Sequence, residues 1–204
     1  PVSMIHAADT FILNKKAPIK DSLKCDVGFV GGYWDYKSKT LDKYIVNLCH
    51  PVGDLNVKIF GGGWPVIQCL GKIPDEDLSS FFRSSLICPN ISEPHSQDFG
   101  YDIIERPFKV LYSGGFCISD FVQSMSDVFD KGEIVFAKTP EEFKELVHYY
   151  KDNPEEREKH IKQGIETVEE NHTYIDRVGK MLKLLEVEGG QEGCDRLKQN
   201  TLRK

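Results

Sequence analysis

Short, continuous apolar runs alternate along this chain with stretches in which apolar residues recur every three or four positions. DVGFVGG at 26–32 is such a run, ending in a glycine pair, as expected of a buried strand that turns sharply. Leu41, Tyr44, Ile45 and Leu48 follow at helical spacing and predict an amphipathic helix over 38–50, ended by His50-Pro51 and Gly53. NVKIFGGGW at 56–64 reads as a second strand entering three glycines, and VIQCLGKI at 66–73 as a short third one. Pro74-Asp75 opens a helix through Phe82, with Asp75, Glu76 and Asp77 at its positive end. SSLICPN at 84–90 is the next strand, and the polar ISEPHSQDFG at 91–100 leads into a helix over 101–113.

Pro107 constrains that helix. An interior proline removes a ladder bond at a cost of about 3 kcal/mol, whereas one in the first turn is tolerated. The helix therefore starts either at 101 or nearer Arg106, with 101–105 as loop. FCISD (116–120) and EIVFAK (133–138) are further strands, followed by helices over 139–151, 153–171 and 173–186. The organisation expected is a polar lead-in at 1–24, one domain at 25–186 and a polar, fraying tail at 187–204. Strand and helix in alternation with short Gly-rich connections predict the α/β class, a Rossmann-like parallel sheet with helices on both faces. Ligands in such sheets bind at the carboxyl ends of the strands. Chemistry is therefore expected in the loops 31–39, 61–65, 71–74, 89–100 and 119–125.

Composition narrows the partners. The 204 residues are 40% apolar, enough for a core, and 26 Lys+Arg against 32 Asp+Glu leave a net charge of −6. That balance argues against a nucleic-acid binder, which needs a basic surface to replace phosphate counterions, but allows a small basic pocket for one nucleotide. Six cysteines with no CxxC or CxxH spacing give no zinc nucleus, and thiols inside apolar runs point to a reducing, cytoplasmic setting. The longest apolar run is far short of the roughly 20 residues of a membrane span.

Within the candidate loops, Gly31-Gly32 with Lys37 and Lys39 is either an anion-binding loop or an ordinary tight turn. Gly61, Gly62 and Gly63 indicate a backbone passing close to a ligand or to a neighbouring strand. Asn90, Ser92, Glu93, His95, Ser96, Gln97 and Asp98 form the densest polar cluster, ahead of Asp102, Glu105, Arg106 and Lys109, which share one helix face. That face is either a diphosphate cradle built on Arg106 and Lys109 or a ladder of ion pairs, Asp102–Arg106 and Glu105–Lys109. His95 is a candidate base or hydrogen-bond donor. His172 reads as an organiser of the junction between two C-terminal helices.

Cys88-Pro89-Asn90, then Arg106-Pro107-Phe108-Lys109 and Gly114-Gly115, resembles the donor-binding half of GT-B glycosyltransferases, in particular the family 1-like group with CgeB-type members. DVGFVGG, IFGGGWP with LGKIP, and NHTYIDRVGKML match in the same order, so the resemblance covers residues 25–186. It implies a single GT-B-type half domain plus C-terminal helices that binds a nucleotide-diphospho-sugar as donor substrate and transfers the sugar without a metal or other cofactor. By likeness, Gly31, Gly32 and Lys37 lie near the diphosphate, with Gly62 and Gly63 at the next strand exit and Asn90 after the third. Lys72 and Ile73 hold the base through backbone groups. Glu105, Arg106 and the amides before Gly114 face ribose and phosphates; from their own positions, Lys109 joins this set on the helix face, and Arg106 with the loop residue His95 are the candidates for catalysis.

Two departures stand out. The family's ribose-binding glutamate falls at the position of Lys109, and an ammonium accepts no hydrogen bond. The acceptor-binding half should precede residue 25, where 24 residues stand. A carbohydrate or glycoconjugate acceptor would then need a partner domain or a second copy, and a non-catalytic nucleotide-sugar-binding module is the alternative.

Overall fold

The computed structural model describes residues 4–129 and 132–203. Strands β1 (Cys25–Val30), β2 (Val57–Phe60), β3 (Ser85–Asn90), β4 (Cys117–Asp120) and β5 (Val135–Ala137) form one parallel sheet in the order β2-β1-β3-β4-β5. The helices are α1 (Asp35–Tyr44), α2 (Asp75–Ser84), α3 (Pro94–Phe99), α4 (Arg106–Tyr112), α5 (Gln123–Val128), α6 (Pro140–Asp152), α7 (Pro154–Asn171), α8 (Tyr174–Leu184) and α9 (Gly190–Leu202). Register sets Val27 opposite both Val57 and Ile87, and Cys88 opposite Cys117.

Continuous apolar strands follow from burial on both faces. Val27, Phe29, Ile59, Ile87 and Ile118 pack with Leu41, Tyr44, Phe143 and Val147 of α1 and α6. The alternate residues Phe60, Cys88 and Cys117, with Cys25 at the start of β1, pack with Phe81, Phe108, Leu111 and Val168 of α2, α4 and α7. The strand order grows outward from β1 in two directions, so the crossovers change face between β1 and β3. The carboxyl ends of those two strands therefore diverge and leave a crevice, the usual ligand position in a doubly wound sheet.

The expected Rossmann-like α/β architecture is present, with local differences. Residues 66–73 form no strand. They meet β2 only at the isolated bridge Ile59–Cys69, with Leu70 N–H on the Ile59 carbonyl at 2.8 Å. The first helix starts earlier than expected, at Asp35, and gives way at Tyr44 to a 3-10 turn over Val46–Leu48. α4 begins at Arg106, so Pro107 falls in its first turn where no ladder bond is lost. α3 and α5, six residues each, are too short to show an apolar stripe in sequence.

The tail forms α9 rather than fraying. It lies against α8, and Lys198 ion-pairs with Asp176 at 2.5 Å, the residue that closes the capping box of α8 with Thr173. The lead-in is tied to the same junction by Ala8, whose N–H donates to His172 O (2.8 Å) and whose carbonyl accepts from Tyr174 N–H (3.0 Å).

The glycine triplet after β2 answers to a neighbouring loop. A Cβ on Gly61 would stand 2.0 Å from the Gly31 carbonyl oxygen, and one on Gly63, at φ +80°, 2.5 Å from the Tyr33 carbonyl oxygen. Trp64 Nε1 donates to Gly31 O at 2.7 Å and locks the two strand exits together. Gly61→Ala is expected to lower stability by about 1–3 kcal/mol, since backbone on both sides has to shift. A shift of the urea midpoint checks this, and an unchanged midpoint refutes the steric account.

His172 closes α7 between the rings of Phe108 and Phe129 (5.5 and 5.7 Å), and its Nδ1 accepts from Arg177 Nη2 at 2.9 Å. Burial, then the Arg177 charge, lowers its pKa from 6.5 to about 4. The folded state thus binds the proton less well than the unfolded chain. The stability carried by the neutral ring is whole above pH 6.5 and is lost as pH falls towards about 4. His172→Gln is expected to lose less stability than the wild type over that interval, measured by urea unfolding at its two ends.

Candidate functional site

Arg106 occupies the crevice between β1 and β3. Its Nε donates to the Val30 carbonyl at the end of β1 (3.0 Å), and Nη1 donates to Asn90 Oδ1 and to the Ile91 carbonyl at the end of β3 (3.3 Å each). The guanidinium lies 4.7 Å from the Phe29 ring centre. Gly31 leaves it room, because a Cβ there would come within 2.9 Å of Nη2 and of the Phe29 ring. Burial lowers the arginine's pKa, offset in part by Glu93, yet a guanidinium stays charged at neutral pH. No carboxylate lies within ion-pairing distance among the described residues, and Nη2 meets no acceptor there.

Arg106 also lines a cleft of about 270 Å³ between α2 and α4. Val30, Leu78 and Phe82 form its apolar wall; Glu93, Glu105 and Lys109 complete the polar side. Lys37 reaches across the crevice from α1 to Glu93 Oε1 at 2.9 Å, with side chains only 11% and 15% exposed. Lys109 pairs with Glu105 at 2.6 Å, so one rung of the anticipated ladder exists. The other does not, since Asp102 turns to His95 Nε2 (3.1 Å) and Ser96 Oγ (3.2 Å) and leaves Arg106 free. Three larger clefts lie elsewhere, one of about 390 Å³ beside Tyr112 and two of about 350 and 470 Å³ between the first described residues and α8. The last two are lined by Arg177, whose guanidinium is held by the Ile5, His6 and Asn171 carbonyls and by His172 Nδ1.

The candidate residues separate accordingly. Arg106, Lys37, Glu105 and Lys109 converge, with Gly31 as the space that permits it. Gly32 faces the Trp34 ring, Gly63 the Tyr33 carbonyl, and Gly62 open space. Asn90 is fully buried and holds Arg106 and Ser119 Oγ, so it positions the arginine and touches no ligand surface. Ile73 sends its side chain into the core, while Lys72 is exposed. His95 is exposed, its ring set by Asp102.

The expectation for Gly114 needs correction. With φ +76° it closes the far end of α4, next to Arg83, and the neighbouring amides are spent on the helix's own carbonyls. They do not face the cleft. The spelling Asp75-Glu76-Asp77 has Asp-x-Asp metal spacing, but Asp77 is paired with Lys20, and no metal-holding cluster exists among the described residues.

Sequence reading passed over Asp120, now 1% exposed at the end of β4. It accepts from Ser92 N–H and Oγ (2.9 Å each) and from Gln97 Nε2 (2.6 Å). Burial raises its pKa while those bonds hold it down. The available signal was a carboxylate closing the apolar run FCISD.

In sequence, the model of the glycosyl transferase-like family matches residues 42–183. No curated protein matches. Among solved structures, T4 phage β-glucosyltransferase in complex with UDP-glucose is similar at TM-score 0.62 and 14% identity, over 76% of this chain and 46% of that one. An α1,3-fucosyltransferase is similar at 0.53 and 15% identity, over 70% and 38%. The N-terminal domain of Candida albicans trehalose-6-phosphate phosphatase is similar at 0.51 and 10% identity, over 82% and 46%. The chain thus spans under half the length of these three. A family match over most of the residues, on a parallel sheet shared with GT-B transferases, shows that the chain belongs to the glycosyl transferase-like family and carries a GT-B-type, Rossmann-like half domain.

Proposed function

We propose that this domain is the donor-binding half of a glycosyltransferase. It holds a nucleotide-diphospho-sugar with the diphosphate against Arg106, and the sugar passes to a carbohydrate or glycoconjugate acceptor presented by a second domain or partner. The observation carrying this reading is a guanidinium fixed by two strand ends, without an ion-paired carboxylate, on a residue that lines the cleft. UDP-glucose bound by the T4 phage enzyme favours the same ligand class.

Departure of the sugar concentrates negative charge on the leaving diphosphate. A guanidinium already immobilised and partly desolvated meets that charge without reorganising, which is the main catalytic contribution such a site can make. Lys37 supplies a second cation, and no metal is needed to neutralise the leaving group. Gly62, with open space beside it, and the backbone at Lys72 and Ile73 lie at the exit of β2, where the nucleoside end is placed. His95, oriented by Asp102, is suited to take a proton from an acceptor hydroxyl. The free cysteines fit a reducing cytoplasm, and no helix among the described residues is long and apolar enough to cross a membrane.

The span of about half a GT-B chain favours a second reading, a binding module that turns over no donor by itself. Calorimetric titration with UDP, GDP and their sugars, followed by product analysis, separates the two. Binding with slow donor hydrolysis or transfer supports the enzyme; binding alone supports the module. Arg106→Ala is expected to weaken nucleoside diphosphate binding at least tenfold while the melting temperature moves by less than about 5 °C. Undiminished binding by the folded variant refutes the site, and loss of the fold makes the arginine structural.

A further inference from the structure

The segment that brings Glu105 and Arg106 to one cleft borders a second. The space of about 470 Å³ between the first described residues and α8 has Ile5, Tyr101 and Met181 in its walls and takes polar groups from Asp102 and His6. That volume suits a small molecule, and apolar walls with a few polar groups are the usual make-up of a ligand site. The two clefts adjoin. The hydroxyl of Tyr174, which lines the larger one, donates to Glu105 Oε1 (3.3 Å), and Glu105 lines the other.

What the polar groups have left is the capacity to accept. Asp102 uses Oδ2 for His95 and Ser96, while Oδ1 takes no hydrogen bond among the described residues, on a side chain 47% exposed. The Tyr174 hydroxyl gives its one proton to Glu105, so His6 Nδ1, at 3.2 Å, is the donor in their contact. A neutral His6 then presents Nε2 as an acceptor, on an exposed residue. Arg177, the one cation lining the cleft, has every guanidinium nitrogen engaged by protein acceptors. Two open acceptors and no free cation suit the hydroxyl groups of a ligand and leave an anion without a donor. An ammonium would be drawn to Asp102 but opposed by the fixed charge of Arg177.

Apolar surface continues out of this cleft along α8. Tyr174, Val178, Met181 and Leu185, the last just past the helix end, recur at helical spacing, share one face and are 36% to 72% exposed. An uncovered stripe that begins at the rim of a cleft matches an extended chain better than a compact sugar. We propose that the cleft is an acceptor site for a neutral, hydroxylated head group carried on an alkyl chain, as in a glycolipid. The head donates hydroxyl protons to Asp102 Oδ1 and His6 Nε2 beside the uncovered ring of Tyr101, and the chain lies along the α8 stripe. The acceptor role rests on the donor-binding reading above and narrows its acceptor to one class, with the Tyr174–Glu105 bond placing the head next to the donor.

The test is an NMR titration of the wild type, Asp102→Ala and Val178→Asp with octyl β-D-glucoside below its micelle concentration, methyl β-D-glucoside and octanoate, each with and without UDP or GDP. The wild type is expected to bind octyl glucoside about tenfold tighter than methyl glucoside, through the chain, and about tenfold tighter than octanoate, through the head. The Met181 methyl and His6 ring signals shift with it, and bound nucleotide does not displace it. Asp102→Ala loses the preference over octanoate and keeps the gain from the chain; Val178→Asp does the reverse. Should Val178→Asp fail to fold, Leu185→Asp, at a more exposed position, carries the same expectation. Octanoate bound as well as the glucoside, or a preference that Asp102→Ala leaves intact, reduces the contact to apolar adsorption and overturns the site. So does displacement by nucleotide, or a concentration-dependent dimer in sedimentation that Val178→Asp abolishes, which gives the stripe to a second copy. Each of these leaves nucleotide binding, and with it the donor-binding reading, standing. A wild type that binds octyl glucoside in this cleft but neither nucleotide overturns the acceptor role together with that reading.

Discussion

A guanidinium held between two diverging strands, with carbonyls and an amide oxygen as its only acceptors, is the constraint around which this end of the molecule is organised. Charge removed from water without a counter-ion is expensive unless it is well hydrogen-bonded. Val30, Asn90 and Ile91 supply that bonding, and each is fixed by the sheet: Val30 pairs with Phe60, Asn90 with Ser119. The arginine therefore reads the separation of β1 from β3. It also explains a glycine at 31, where any side chain would strike the guanidinium.

Much of this was legible along the chain because a doubly wound sheet has a simple signature. Strands buried on both faces become uninterrupted apolar runs, and the runs at 26–30, 57–60, 85–90 and 117–120 were found where they lie. VIQCL at 66–70 has the same appearance without the partner. Residues 68–71 run along the outer edge of β2, and Ile67 and Leu70 remain exposed there, so apolar composition was no evidence for a strand. The short helices α3 and α5 escaped because six residues cannot display a stripe, and α9 because it buries no residue fully and sends only Leu202 against the core.

The site was legible in kind more than in detail. Arg106 stood out by its motif, but sequence spacing offered it Asp102 as a partner just as readily, and only the helix boundary decides. Starting α4 at 106 takes Asp102 off the helix and into the reach of His95, whereas Glu105 and Lys109, four apart across the boundary, still meet. The glycine triplet was ambiguous for a similar reason. Close approach is what three glycines report, and a carbonyl of the adjoining loop satisfies it as well as a ligand would. Glu93 and Asp120 had no spacing signature, because what distinguishes them is burial and the occupancy of single oxygens.

The electrostatics of the crevice explain how an acidic chain can still be suited to an anion. Lys37, Lys109 and Arg106 face Glu93 and Glu105, an excess of one positive charge in a protein of net charge −6. Four of those five groups neutralise one another in pairs, so the excess is concentrated on the one cation that cannot move, Arg106. A long polyanion would meet a chain whose net charge is −6 and be repelled overall. A small dianion that fits the cleft would meet the guanidinium first, at a distance where partial burial weakens screening by salt. Pairing the lysines with glutamates thus leaves the arginine as the one cation of the five without an ionic partner, which is the charge the proposed diphosphate site relies on.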